Sequence, residues 1–388
     1  MKRRLFILCL LPFFLAGCFP HVDNPEEVIQ ENNKTQEAEK SIVPNYQISD
    51  SYYRTALPFT PSGSRGTIVY NLSSRYDSDE FEEGLLRLAQ KVFPTDEYIF
   101  QEGQYLDEET VTRWLSRKMT AAQLKEKGMS EEQNLGLNPV VADENNAEEQ
   151  EKNPIYLSHI LEHNFLKKSE KNKVKPAGLS IGLAMNSVYY YTVEEKGGGT
   201  KELKVKISEK KIMEKGREMA QEIVKRLRQK KEVGDVPILV GIYKLEDRTS
   251  VVPGHFIAYG YAEKGTSLKW ETVNEKYVLF PSSEAKKYSA DYKQFQTFQD
   301  QVSEYFPNYN GIVGRAFYVD DELKQLKIDI SMQFYGKTEV IGFAQYIAGL
   351  LSYFPKQWSV EVNLKSQDGM EALILWEPDM DEPFVHIY

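Results

Sequence analysis

One order of elements is written twice in the second half of this chain, and it limits the folds open to it. Leu179–Glu194 has the composition of a strand, Gly197-Gly198-Gly199 makes a turn, and Lys201–Ile207 returns. Ser208 stands where a long helix reaching about Lys231 would be capped. Pro237 then opens two further strands, Ile238–Leu245 and His255–Ala262. The second copy is tighter. Val313–Val319 is a strand, Asp320-Asp321 a turn and Leu323–Phe334 the return. A helix runs from about Thr338 to Tyr353, Pro355 opens Trp358–Lys365, Gln367-Asp368-Gly369 turns, and Met370–Trp376 returns. Each copy reads β-β-α-β-β, with a proline at the same place after the helix. Residue identities do not match, but the order of elements does, which indicates internal duplication. Hairpins flanking a helix predict an α+β fold of antiparallel sheets with helices packed on one face. With 388 residues the chain can fill two such lobes, placed here at 49–290 and 291–388.

Upstream of the repeats the pattern is more helical. A strand is expected at Thr67–Leu72. A helix follows from Asp79 to Val92, with Phe81, Leu85, Leu88 and Val92 on one face and Asp77 with Glu80 as its capping pair. Phe93-Pro94 closes it, as Phe306-Pro307 closes a helix before the second copy. A helix carrying Val111, Trp114 and Leu115 comes next, then a short one from Ala121 to Lys127, stopped by Gly128. The acidic run Asp143–Lys152 reads as a surface loop, and Pro154 as the start of a helix reaching about Lys168.

The N-terminus carries an address. Lys2, Arg3 and Arg4 precede an apolar run, Leu5–Leu15, and Leu15-Ala16-Gly17-Cys18 ends it. A cationic start, a short apolar core and small residues before a cut describe a secretory signal. The run is about half the ~20 residues a membrane-spanning helix needs, and Pro12 interrupts it. Leucine, two small residues and cysteine form a bacterial lipobox. Cleavage between Gly17 and Cys18 would leave Cys18 at the new N-terminus carrying a diacylglyceryl group, and paired acyl chains anchor stably. Residues 1–17 are then the signal peptide. Residues 18–48 are the lipidated cysteine and a polar tether, broken by Pro20, Pro25 and Pro44 and too poor in apolar residues to fold. The expected location is the extracellular face of the cell membrane. The whole chain has a net charge of −10. Losing three cations and no acids with the signal leaves about −13, which excludes nucleic acid as a partner and leaves lipid to hold the body to an anionic surface. The two cysteines are Cys9 and Cys18. The mature body therefore has no disulfide, thiolate nucleophile or Cys-ligated metal.

Few residues suggest chemistry. His159-Ile160-Leu161-Glu162-His163 fits H-x-x-E-H. On a helix this pattern puts His159 and His163 on one face for a zinc ion, with Glu162 as general base. A third ligand is not marked, so a zinc-dependent hydrolase stands as an alternative. Gly197-Gly198-Gly199 precedes no G-K-[ST] and is a hairpin turn rather than a phosphate loop. No cofactor is implied. Aromatics are plentiful, among them Tyr189-Tyr190-Tyr191, Tyr259 and Tyr261. On an exported body exposed rings would stack on glycan or grip peptide, so a cell-wall binding module is a second alternative. Tyr52, Tyr53, Arg54, Arg65, Gln101, Glu102 and Gln104 form the candidate surface site.

These last segments carry a resemblance. Ser51-Tyr52-Tyr53-Arg54, Leu57-Pro58-Phe59, Arg65-Gly66, Phe81-Glu82-Glu83-Gly84-Leu85 and Phe100-Gln101-Glu102-Gly103-Gln104-Tyr105-Leu106 resemble, in this order, the CamS family. These are sex-pheromone lipoproteins of low-GC Gram-positive bacteria. The resemblance implies a lipid-anchored, non-enzymatic envelope protein whose released signal peptide is trimmed by signal-processing peptidases to a short apolar peptide. A receptor on plasmid-recipient cells would sense it. Carried onto this chain, the peptide lies within Leu10–Gly17 and comprises Leu11, Pro12, Phe13, Phe14, Leu15, Ala16 and Gly17. Pro12 and the paired phenylalanines depart from the aliphatic peptides of the active members. The H-x-x-E-H pattern is not part of the family's motif, and the family supplies no catalytic residues.

Overall fold

A computed structural model describes residues 26–31, 38–67, 75–169, 172–195, 197–305, 311–331, 333–334 and 336–388. Leu11 to Cys18, most of the strand expected at 67–72, and Phe306-Pro307 lie outside these residues. In chain order the elements are β1 (Glu26–Glu31), β2 (Ala38–Val43), β3 (Arg54–Thr55), α1 (Arg75–Ala89), β4 (Ile99–Glu102), α2 (Glu108–Leu115), α3 (Ala121–Glu126) and α4 (Ala147–Lys152). Then come β5 (Leu157–Lys168), β6 (Lys173–Met185), β7 (Val188–Glu194), β8 (Thr200–Lys206), α5 (Glu209–Gln229), β9 (Ile238–Lys244), β10 (His255–Ala262) and β11 (Lys269–Thr272). The second lobe holds β12 (Glu275–Phe280), α6 (Ser289–Tyr305), β13 (Gly311–Val319), β14 (Glu322–Ser331), α7 (Lys337–Leu351), β15 (Ser359–Ser366), β16 (Gly369–Trp376) and β17 (Phe384–Ile387).

The architecture is α+β, with the duplicated unit in both sheets. In the first, β5 and β6 form a hairpin, α5 crosses over, β9 lies parallel to β6, and β10 returns antiparallel. In the second, β13–β14, α7, β15 and β16 repeat that order and those directions. The sequence reading misplaced the first hairpin. Its opening strand is β5, the segment expected to be a helix, and the expected strand Leu179–Glu194 breaks at Asn186-Ser187 into β6 and β7. The hairpin β7–β8 is an insertion and forms a separate two-stranded sheet. β12, assigned from sequence to the first lobe, is an edge strand of the second sheet.

The two sheets are covered differently. Val278, Ala316, Leu326, Ile328, Val360, Val362 and Ile374 of the second sheet share one core with Phe295 of α6 and Phe343 and Ile347 of α7. The first sheet is buried on both faces, a difference from the one-faced expectation. Ile181, Leu183, Val240 and Ile242 meet α2 and α5, whereas Ala184, Leu239, Tyr243 and Phe256 meet Phe81, Leu85 and Leu88 of α1. Gly182 permits that approach, because a Cβ there would lie 2.8 Å from the Phe81 ring.

Three local readings change. Asp77 and Glu80 do not cap α1, which begins at Arg75. Both are buried, and Asp77 instead accepts the Gly254 N–H at 2.8 Å. The stretch read as a solvated tether contains β1 and β2. They pair along their length, and Val28 and Val43 enter a small core with Ala56, Ile99, Leu166 and Val174. Two well-placed valines are enough to dock an otherwise polar hairpin on a larger sheet. The acidic stretch 143–152 also contains α4, capped by the Asn146 side chain.

Candidate functional site

A buried carboxylate organises the segment Glu102–Leu106. Glu162, on β5, is 2 % exposed. It accepts backbone N–H groups from Gln104 at 3.0 Å, Tyr105 at 3.1 Å and Leu106 at 2.7 Å. The Asn164 side-chain amide donates to it at 2.8 Å. Gly103 passes so close that a Cβ there would sit 2.5 Å from the Glu162 Cβ. Burial raises the Glu162 carboxyl to about 7, against the pull of its donors.

The loop so fixed presents part of the expected surface site. Glu102 accepts the Ser62 N–H at 2.6 Å and pairs with Arg65 at 3.4 Å. The Arg65 guanidinium lies 5.3 Å from the Phe59 ring centre. The Gln104 side chain donates to the Glu102 carbonyl at 3.1 Å. Arg65, Glu102 and Gln104 therefore converge, with half-buried Gln101 beside them on β4. Tyr52, Tyr53 and Arg54 sit apart, around β3. Tyr52 is 58 % exposed. The Tyr53 hydroxyl donates to the Phe93 carbonyl at 2.5 Å and its half-buried ring packs against the core, 5.2 Å from Phe165. Arg54 has its Nε buried without a partner. Tyr189 and Tyr191 stack at 5.4 Å as buried rings. Tyr190 points away, under Arg248 at 3.9 Å. Glu162 itself was missed as an organiser of this loop; the tight Glu-Gly-Gln sequence at 102–104 is the signal that a backbone passes close to something.

The zinc geometry is not formed. His159, Glu162 and His163 lie on a strand, where neighbours alternate between faces and residues four apart stand about 13 Å from one another. Glu162 is already occupied by backbone donors. Among the described residues no three His, Cys, Asp or Glu side chains form a group able to hold a metal. His159 instead lies edge-on to Phe81 of α1, and His163 edge-on to Phe100 of β4. Both nitrogens of His159 and Nδ1 of His163 lack a hydrogen-bond partner. Burial pushes His159 down to about 4 and His163 to about 3. His255 is lowered to about 3 by burial and then by Lys244 and Lys276.

These depressed values set a pH dependence. A histidine held neutral in the fold and titrating near 6.5 when unfolded stabilises fully above 6.5, and loses that contribution as pH falls toward its folded value. Each costs about 1.4 kcal/mol per pH unit below 6.5. Glu162 acts oppositely, contributing fully below its unfolded value near 4.5 and losing that contribution as pH rises to about 7. The three histidines lose stability as pH falls from 6.5 to 4.5, and Glu162, with the burial-raised carboxyls of Glu80, Glu82 and Glu246, opposes them. Urea midpoints measured from pH 6.5 to 4.5 are expected to lose less, or gain more, on acidification in a His163→Phe variant than in the parent, because the variant lacks the His163 contribution.

The second lobe carries a groove of about 620 Å³ between α7 and β17. Ile341, Ala348, Gly349, Trp376 and Val385 make its apolar surface, and Asp381 and Glu382 are its charged lining residues. β17 is the last strand of its sheet among the described strands, so one edge of its backbone is open beside the groove.

A family model described as the CamS sex pheromone cAM373 precursor matches residues 59–382. The C-terminal domain of the sex pheromone staph-cAM373 precursor from Staphylococcus aureus is similar at 37 % identity. The match covers 82 % of this chain and 98 % of that one, with a TM-score of 0.70. A sex pheromone precursor from Lactobacillus salivarius subsp. salivarius UCC118 is similar at 30 % identity, with coverage of 89 % and 98 % and a TM-score of 0.76. No curated protein sequence matches. The α+β architecture, the motifs at 51–106 and these similarities agree: the chain belongs to the CamS sex pheromone precursor family.

Proposed function

We propose that this chain is an exported lipoprotein with two products. The signal sequence, cut before Cys18, supplies a short apolar peptide from Leu10–Gly17, and the mature body stays on the outer face of the membrane through a diacylglyceryl group on Cys18. Family membership over residues 59–382 carries this reading. The lipobox and its cationic flank at Lys2, Arg3 and Arg4 supply the processing chemistry. No helix among the described residues is long and apolar enough to cross a membrane, so lipid is the attachment this reading uses.

The mature body acts as a binding module, not an enzyme. Its polar loop at Arg65, Glu102 and Gln104 is satisfied by internal bonds, and His159 and His163 are buried with their neutral forms favoured. The groove between α7 and β17, apolar with an acidic end, suits an extended apolar peptide better than a glycan. Lipidation is tested by intact mass on protein extracted from membranes. The expected mass is that of residues 18–388 plus a diacylglyceryl group, and Cys18→Ser should move the body into the medium or leave it uncut.

A further inference from the structure

The ordered N-terminal hairpin leaves little slack between a lipid on Cys18 and the body. Glu26, the first residue of β1, is eight residues after Cys18. An extended chain gains at most about 3.6 Å per residue, so β1 begins within about 29 Å of the anchored cysteine. The place of entry is defined as well. β1 runs parallel to β6, with Ile29 opposite Lys173 and Gln30 opposite Val174. Glu26 therefore lies ahead of the start of β6, at the end of the sheet where β5 turns into β6. β2 pairs with β1 from Val43 to Ala38, and buried Val28 and Val43 hold the hairpin to the sheet.

We propose that the lipidated protein does not swing on a long tether but rides with the β5–β6 turn facing the phospholipid bilayer. This orientation rests on the proposed lipidation of Cys18. β6 extends away from that turn from Lys173 to Met185, a rise of about 40 Å. β9 runs alongside it in the same direction, with Lys244 opposite Met185. The β9–β10 loop, including Val251 at 59 % exposure, is thus the distal end. The ends of β5 and β6 that flank this turn carry Lys167, Lys168, Lys173 and Lys175, with Glu97 paired to Lys167 at 2.6 Å. An overall acidic body thereby presents its lysine-bearing end where the chain arrives from the membrane.

The test uses the full lipidated protein, in which an introduced cysteine is the one free thiol. Asn172→Cys and Val251→Cys are each labelled with a donor fluorophore. They are reconstituted in vesicles of phosphatidylcholine and phosphatidylglycerol containing rhodamine-headgroup lipid, and flotation precedes the measurement. Energy transfer is expected to be at least twofold stronger from position 172 than from position 251. Adding Val28→Asp, which detaches a peripheral hairpin without touching the three larger cores, should bring the two values together. Equal transfer in protein that floats overturns the orientation alone. Protein that fails to float overturns the lipid reading, and the orientation with it.

Discussion

Arg87→Ala is expected to cost about 3–5 kcal/mol and to loosen the joint between the lobes. Arg87 on α1 reaches Glu80 on its own helix at 2.6 Å and Glu275 on β12 at 2.9 Å. Its guanidinium lies 4.6 Å from the centre of the Phe317 ring. The two carboxylates are 5 % and 6 % exposed, and Tyr277 donates a short hydrogen bond to Glu80. Burial raises the Glu80 carboxyl, with Arg87 pulling against it. Burial alone would lower Arg87, but Glu80 and Glu275 hold it above its ordinary value. Removing the cation leaves two buried acids facing each other, and an uncompensated buried charge is the costly outcome. Urea denaturation should show the loss. Limited proteolysis should find a new cut near Val273–Asn274, where the chain passes between sheets. The triple variant Arg87→Met, Glu80→Gln and Glu275→Gln should recover a large part of the stability, because it removes the cation and both of its buried acids together.

Glu162→Ala is expected to be comparably severe, at about 3–5 kcal/mol. The substitution strands the N–H groups of Gln104, Tyr105 and Leu106. An unsatisfied buried donor costs about 1–3 kcal/mol, while relaxation of the loop toward water returns some of that. Glu162→Gln keeps an acceptor and should cost much less. Hydrogen exchange at residues 103–106 would separate the two, with fast exchange in the alanine variant and protection in the glutamine variant.

The two largest misreadings share a cause with these sites. β5 was read as a helix because Pro154 precedes it and because His159, Glu162 and His163 look like the polar stripe of an amphipathic surface. The strand is buried on both faces, so it shows no clean alternation. Its polar residues are interior ones, and the backbone donors that satisfy Glu162 come from a segment nearly sixty residues away, which local pattern cannot show. β1 and β2 were read as tether for a similar reason. Their order comes from docking Val28 and Val43 against Ile99, Leu166 and Val174, not from any periodicity of their own. The second unit was read closely. β13, β14, α7, β15 and β16 are bounded by Asp320-Asp321, Pro355 and Gln367-Asp368-Gly369, and turn residues with positive φ at Asp320, Asp321 and Gly369 leave a local mark. The surface site was half legible. Glycine and the polar residues at 101–104 marked the loop, but Tyr53 packs against the core.

On the proposed reading, the signal sequence and not the body carries the signalling role suggested by the precursor family. The most direct measurement is plasmid transfer by recipient cells given synthetic peptides from Leu10–Gly17 over several decades of concentration. A response is expected at nanomolar levels, the ~12 kcal/mol regime of specific recognition, and none to a scrambled peptide of the same composition. Silence up to micromolar peptide would contradict it and move the protein's task to residues 26–388.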